Sequence, residues 1–102
     1  MTVYPDLGLY IDGAWTAGSG GAFADVVDPA SEERIARLPL ASAADVDRAI
    51  AAAEMGFAIW RATAPAKRAA IVRAAGAIIR SRRDDLARVM AMELGKPVRE
   101  GR

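Results

Sequence analysis

The pattern of the sequence changes once, near residue 40, and this change restricts the fold more than any other feature. Before it, short apolar runs are separated by turn pairs such as Asp12-Gly13 and Asp28-Pro29. After it, apolar residues recur at steps of three and four within alanine-rich segments, which is the period of an amphipathic helix. The sequence therefore predicts an α+β fold, with strands and turns over residues 7–38 and three helices over residues 42–95.

Four strands are predicted in the first part. The runs 7–11 and 14–16 flank Asp12-Gly13, a pair that favours a two-residue hairpin because both central positions need positive φ. Residues 17–21 are small and flexible and predict a loop. The runs 22–27 and 34–38 flank a turn that Asp28 opens and in which Pro29 pre-sets φ. Pro39 is expected to end the last strand.

The starts of the three helices carry recognisable signals. Ser42 is a favourable N-cap, and Asp45 three residues later predicts a weak capping box. Pro65, which is tolerated in a first turn, predicts the start of the second helix. Ser81 together with Asp84 is predicted to cap the third.

The third helix is predicted to end at Gly95, and Pro97 prevents its continuation. Glycines at 56 and 76 inside the helices are expected to allow close approach of another backbone. Each helix carries one apolar stripe, and the stripe of the third is expected to be buried. The stripes consist of Val46, Ile50, Ala53, Phe57 and Trp60; of Ile71, Val72, Ala75, Ile78 and Ile79; and of Leu86, Val89, Met90 and Leu94.

Composition excludes several classes of active site. The 102 residues include no Cys and no His, so a thiol nucleophile, a Ser-His pair, and zinc or haem ligation by these residues are absent from this sequence. The net charge of +1 gives no long-range attraction for nucleic acid or anionic membranes. No apolar run reaches the ~18–20 residues of a membrane span, and no secretory signal is visible, so a cytoplasmic location is expected.

Five segments, in order, carry a resemblance to a known family. They are LYIDGAW at 9–15, VVDPASEE at 26–33, ADVDRAIAAA at 44–53, KRAAIVR at 67–73 and ELGKP at 93–97. The sequence from about residue 7 onward resembles the N-terminal segment of NAD(P)-dependent aldehyde dehydrogenases. Asp28 and Lys67 stand where that family usually has Asn and Glu. The run 90–97 leans towards the succinate-semialdehyde dehydrogenase branch.

The resemblance implies that the catalytic and cofactor-binding residues of the family lie outside residues 1–102. Residues 1–102 would be an incomplete N-terminal part of a cofactor-binding domain within the larger α/β fold. A cysteine thiolate, an oxyanion-holding Asn, a water-activating Glu and the NAD or NADP site would all lie further along a complete enzyme, which is expected to be a homo-oligomer. No catalytic or cofactor-binding residue is therefore assigned to this chain. It is expected to be inactive alone, to bind no cofactor, and to need the remaining polypeptide or a complementing chain, with an aldehyde as substrate of the complete enzyme.

The resemblance also implies one minor site. Some family members hold a monovalent cation with backbone carbonyls of the segment before the Pro turn and with the acidic residue before the Gly-Lys-Pro run. The matching residues are Val26, Val27 and Glu93, whose carbonyl and carboxylate oxygens suit a hard cation. A solvated or capping carboxylate is the alternative role for Glu93.

Other readings of the same residues remain open. A stand-alone α+β module could bind a protein partner through its apolar faces, whereas nucleic-acid binding is disfavoured by the balanced charge. Trp15, Phe57 and Trp60 could stack on a nucleotide, although aromatic residues of this kind are more often found in a core. The charged run 80–85 is better explained as surface charge at a helix junction than as a phosphate-binding element. Lys96 follows Gly95 as in a phosphate loop, but Pro97 stands where such a loop has a hydroxyl residue, so this interpretation is discounted.

Overall fold

The computed structural model describes residues 4–101 and has the predicted α+β architecture. Two separate two-stranded antiparallel sheets precede the helices. The elements are β1 (Leu9–Ile11), β2 (Ala14–Thr16), β3 (Phe23–Val27), β4 (Arg34–Pro39), α1 (Ala43–Ala62), α2 (Pro65–Ser81), α3 (Arg83–Leu94) and a 3₁₀ turn (Val98–Glu100).

The first hairpin forms around the predicted turn. Asp12 and Gly13 both have positive φ, at 53° and 75°, which is the backbone that a type I′ turn requires. Tyr10 pairs with Trp15 across the strands, and their rings lie 5.0 Å apart in a tilted arrangement. The turn residues thus fix the register, and the aromatic pair reinforces it.

The second hairpin contains an irregularity that the sequence analysis did not predict. Val26 pairs with Ala36 but Val27 pairs with Arg34, so a bulge interrupts the ladder between the two valines. Asp28 opens the following turn as predicted, because its side chain accepts a hydrogen bond of 2.8 Å from the amide of Ala30. The last strand includes Pro39, which the sequence had placed outside it. A proline is tolerated there because it is the terminal residue of a strand at a sheet edge.

The helix boundaries confirm most of the predicted signals. Both halves of the Ser42 capping box are present, and Pro65 stands at the start of α2. Gly95 ends α3 in the left-handed conformation, with φ of 67°. The predicted cap at Ser81 is wrong, because α2 continues through that residue and its hydroxyl donates to the carbonyl of Ile78 at 2.8 Å. Arg82 occupies the N-cap position of α3 instead, without a side-chain hydrogen bond.

The helices lie in an open arrangement with little internal core. The radius of gyration is 17.0 Å, whereas a compact chain of this length would have ~13 Å. The accessible surface is 7886 Å², compared with ~5,500 Å² for a compact monomer of this mass. In the part of the chain that the structure describes, only Pro39, Asp45 and Ala87 are buried. About 2,300 Å² more surface is therefore exposed than a compact chain would expose.

The apolar stripes lie on the predicted helices, but this chain does not bury them. The prediction of a buried face on α3 is wrong here, because Leu86 and Leu94 are exposed. The expected core position of the aromatic residues is also wrong within this chain, since Trp15 is 72% exposed and Phe57 is 62% exposed. The periodicity identifies which face is apolar, whereas burial depends on what packs against it.

Candidate functional site

The most highly organised polar group joins the loop after the first hairpin to the start of α1. The fully buried carboxylate of Asp45 accepts hydrogen bonds from the amides of Ser19 and Ser42, both at 2.9 Å. The two serine hydroxyls donate to it at 3.1 and 2.9 Å, and Arg48 donates at 2.6 Å. We call Ser19, Ser42, Asp45 and Arg48 the Asp45 cluster.

The electrostatics of the Asp45 cluster favour an ionised carboxylate. The amide of Ser19, followed by that of Ser42, holds the pKa of Asp45 well below its usual range, against the opposing effect of burial. The guanidinium of Arg48 and the hydroxyl of Ser42 lower this pKa further. A carboxylate that accepts this many hydrogen bonds is poorly suited to take up a proton in catalysis. The cluster therefore fixes the hairpin loop to α1.

Gly18 allows this close approach. Its φ is +77°, and a Cβ added there would lie 2.8 Å from Oδ2 of Asp45 and 2.9 Å from Cδ1 of Leu9. The sequence predicted the cap between Ser42 and Asp45 but missed the contributions of Gly18 and Ser19. A flexible Gly/Ser loop is the only signal they give, and such a loop does not reveal its distant partner.

The residues of the predicted cation site occupy two neighbouring segments. Val26 and Val27 of β3 lie opposite the bulge, whose extra residue is Ile35 of β4, and Glu93 lies in the last turn of α3. The turn after β3 approaches the end of that helix, because Cγ of Pro29 would lie 3.4 Å from a Cβ placed on Gly95. Among residues 4–101, no three Asp, Glu, His or Cys side chains form a metal-binding group. A cation here would therefore depend on backbone carbonyls.

The carboxylate of Glu93 has a specific partner. The hydroxyl of Tyr4 donates a hydrogen bond to its Oε1 atom. Desolvation, followed by this hydrogen bond and by the negative charge of Glu93, raises the pKa of Tyr4 to about 12. The contact ties the start of the described chain to the end of α3, and the sequence contained no signal for it.

The remaining charged candidates form surface pairs. Arg83 lies 3.7 Å from Asp84, and Arg88 lies 3.3 Å from Asp85. Arg83, Asp85 and Arg88 are exposed, whereas Asp84 is half-buried. Asp84 and Asp85 stand in the first turn of α3, where the helix dipole favours negative charge. The interpretation of run 80–85 as surface charge accounts for these contacts.

The largest candidate site is the exposed apolar surface of the helices. We use the name α2 stripe for Ile71, Val72, Ala75, Ile78 and Ile79. The four larger side chains of this stripe are 56–62% exposed. Val46, Ile50 and Phe57 on α1 are exposed to a similar degree, between 46 and 62%. Exposed apolar patches of this extent are typical of surfaces that another protein segment covers.

Gly56 and Gly76 lie within these helices without a packed neighbour. A Cβ on Gly56 would meet nothing within 4 Å, and a Cβ on Gly76 would approach only the side chain of Arg80. The expected close approach of another backbone is therefore absent among the described residues. None of the helices in the range 4–101 combines the length and the hydropathy that a membrane span requires.

Comparison with known proteins gives a consistent result. The model of the aldehyde dehydrogenase family matches residues 15–102. A structure of PnpE in complex with nicotinamide adenine dinucleotide is 35% identical with a TM-score of 0.91, and the match covers 96% of this chain and 20% of that one; PnpE has also been solved from Pseudomonas sp. WBC-3. Succinate-semialdehyde dehydrogenase from Burkholderia pseudomallei is 39% identical with a TM-score of 0.86, covering 90% and 19%.

A third structure comes from Sinorhizobium meliloti. This putative methylmalonate-semialdehyde dehydrogenase, complexed with NAD, is 29% identical with a TM-score of 0.88, and the match covers 99% of this chain and 21% of that one. The chain thus spans about a fifth of the length of the solved structures that it matches.

Proposed function

We propose a structural role for this chain, which belongs to the aldehyde dehydrogenase family: it supplies the N-terminal scaffold of an NAD(P)-dependent aldehyde dehydrogenase and is inactive alone. The observation that carries this proposal is the exposed apolar surface on helices that match complete enzymes with TM-scores of 0.86–0.91. The excess of ~2,300 Å² over a compact chain exceeds the ~1,600 Å² buried by a typical stable interface. The rest of such an enzyme would cover this surface.

The residues of this chain do not fit a role in nucleotide binding. Its glycine-rich loop, which includes Gly18, Gly20 and Gly21, directs the amide of Ser19 to the carboxylate of Asp45. A phosphate placed there would have to displace or face a buried anion, which is unfavourable. We therefore assign NAD or NADP binding to the covering part of the enzyme.

The chemistry is also assigned to the covering part. This chain contains no Cys, so it cannot provide a thiolate that attacks an aldehyde. We propose a semialdehyde substrate for the complete enzyme, supported by the run 90–97 and by 39% identity with the succinate-semialdehyde dehydrogenase. Assembly as a homo-oligomer in the cytoplasm belongs to the same proposal.

A fusion protein tests the scaffold role. The full 102-residue chain would replace the matched segment of the Burkholderia succinate-semialdehyde dehydrogenase; we call this protein the fusion enzyme. Activity is measured as NAD(P)H formation with succinate semialdehyde. Matched controls are the Burkholderia enzyme without the segment and the same enzyme with its own segment restored.

The scaffold role predicts activity in the fusion enzyme and none in the shortened enzyme or in the 102-residue chain alone. Turnover by the isolated chain would refute it. An inactive fusion enzyme, alongside a restored control that works, would refute it as well.

We also propose that Val26, Val27 and Glu93 contribute oxygen ligands to a monovalent cation in the complete enzyme. The approach of Pro29 to Gly95 supports this proposal, since it places the two segments side by side. Potassium should slow thermal inactivation of the fusion enzyme, and Glu93→Gln should abolish that effect. Equal protection of the variant by potassium would contradict the assignment.

A second function is favoured by the same exposed surface. A stand-alone interaction module would use the apolar stripes to bind another protein without catalysis. Such a module should unfold as a monomer in one sharp, reversible transition. A scaffold segment should instead melt over a broad range and self-associate, because its stripes lack their cover. Sedimentation velocity and calorimetry of the 102-residue chain distinguish the two.

A further inference from the structure

Arg68 lies within the apolar surface of α2 rather than on its polar side. It precedes Ile71 and Val72 by three and four residues and Ala75 by seven, so all four share one face of the helix. The side chain is half-buried, and its Nε atom is inaccessible to solvent without a hydrogen-bond partner among the described residues. The Nε–H group of Arg68 therefore lacks the acceptor that buried donors usually have.

The surrounding sequence offers no acidic partner. Residues 61–83 contain none of the 13 Asp and Glu residues of the chain. The nearest acidic positions are Glu54 before this stretch and Asp84 after it, and Asp84 pairs with Arg83. The basic residues within the stretch are Arg61, Lys67, Arg68, Arg73, Arg80, Arg82 and Arg83.

Covering the α2 stripe would bury Arg68 further. An unpaired buried charge is strongly unfavourable, and a carboxylate matches the planar guanidinium with two parallel hydrogen bonds. We propose that the protein surface covering the α2 stripe is apolar and presents a carboxylate to Arg68. This inference rests on the proposed scaffold role and identifies the chemistry of the segment that covers α2.

The position of Arg68 favours a protein surface over an anionic lipid surface. A helix lying on a membrane keeps its cations on the polar face and along its flanks, where they reach the headgroups. Arg73 follows Arg68 by five residues, which turns it ~140° away from the stripe. A cation in the middle of the stripe would be directed towards the acyl chains, whereas a protein can place a carboxylate there.

Zero-length cross-linking of the fusion enzyme tests the contact directly. Carbodiimide joins an amine to a carboxylate only when the two groups are adjacent, so Arg68→Lys provides an amine at the proposed contact. Arg73→Lys is the matched control, and both carry Lys67→Arg to remove the native amine beside position 68. Mass spectrometry then identifies the cross-linked peptides.

The proposal predicts an amide between position 68 and an Asp or Glu of the Burkholderia part of the protein, and none from position 73. It also predicts that Arg68→Met speeds thermal inactivation by about 10- to 100-fold, as expected for loss of a hydrogen bond to a charged group. Arg68→Lys should recover most of this loss, and Arg73→Met should change little.

The fusion enzyme could be active, show no cross-link from position 68, and be inactivated by heat at the same rate with Arg68→Met as with Arg73→Met. This result would overturn the inference about Arg68 and leave the scaffold role intact. An inactive fusion enzyme would overturn the scaffold role and this inference together. Preferential binding of the 102-residue chain to phosphatidylserine vesicles over phosphatidylcholine vesicles, lost in Arg68→Met, would favour a lipid surface and count against a protein carboxylate.

Discussion

Replacing Ile79 by glutamine should leave the helicity of the isolated chain unchanged but destabilise the fusion enzyme. Ile79 belongs to the α2 stripe and is 59% exposed in this structure. A substitution at such a position normally changes stability by less than ~0.5 kcal/mol in the free chain. Glutamine is chosen because a carboxylate at this position could pair with Arg82 or Arg83 in the next turn.

The expected loss of stability in the fusion enzyme follows from the fraction of the Ile79 side chain that is exposed in this structure. Burying a whole isoleucine side chain stabilises by ~1.5–3 kcal/mol, so the part that is still exposed on Ile79 corresponds to about 1–2 kcal/mol. A buried amide without a partner adds about 1–3 kcal/mol of destabilisation. The sum is near 3 kcal/mol, which corresponds to a factor of about 100.

The assay is the rate of thermal inactivation of the fusion enzyme. The rate should rise about 100-fold if the contact is fully lost in the transition state for inactivation, and about tenfold if half of it persists. Ala77→Gln is the matched control, because two residues turn its side chain ~200° away from Ile79. Circular dichroism of the 102-residue chain should show equal helicity for both variants. Equal inactivation rates for the two variants would refute the claim that the α2 stripe is covered.

Three further predictions concern the local structure, with stability measured in the fusion enzyme. Gly18→Ala should lower the stability more than Gly21→Ala. Both residues have positive φ, which costs ~1–2 kcal/mol for an L-residue, but only a Cβ at position 18 would lie 2.8 Å from a carboxylate oxygen. Equal losses of stability in the two variants would contradict the close approach of Gly18 to Asp45. Ser42→Ala should cost ~1 kcal/mol through loss of the helix cap, and no change in the urea midpoint would contradict a stabilising cap. The raised pKa of Tyr4, about 12 against an ordinary ~10, means that its stabilising contact is fully present below pH 10 and is lost as the pH rises through 12. Absorbance titration at 295 nm of the 102-residue chain should therefore show a late-ionising tyrosine that Tyr4→Phe removes, and an unchanged titration curve would contradict the contact with Glu93.

Elements governed by local chemistry could be predicted from the sequence. The Asp12-Gly13 turn, the cap at Ser42 and the end of α3 at Gly95 each depend on the φ preference or side-chain oxygen of one or two residues. The failed prediction at Ser81 shows the limit of this approach. A serine near a helix junction can cap the next helix or bond back to its own helix, and the sequence alone does not decide between these outcomes.

Long-range contacts could not be predicted in the same way. The amide of Ser19 bonds to a carboxylate 26 residues away, and the hydroxyl of Tyr4 bonds to Glu93 across 89 residues. Neither serine nor tyrosine carries a spacing pattern that identifies such a partner. For the candidate site as a whole, the sequence indicated the residue types and the apolar faces, whereas the structure was needed to show which of them meet.

Two parts of the chain differ in how far their stability depends on a partner. The first hairpin and the start of α1 are joined by the Asp45 cluster, whose carboxylate is satisfied entirely by groups within this chain. The α2 stripe and Arg68 have no comparable internal partners among residues 4–101. Local stability should follow this division, because protection from hydrogen exchange depends on how completely each region is packed and bonded. In the isolated chain, amides near Ser19 and Ser42 should therefore exchange more slowly than those of α2, and adding the covering part should protect α2 selectively. Uniform protection along the isolated chain would show instead that its helices are stable without any cover.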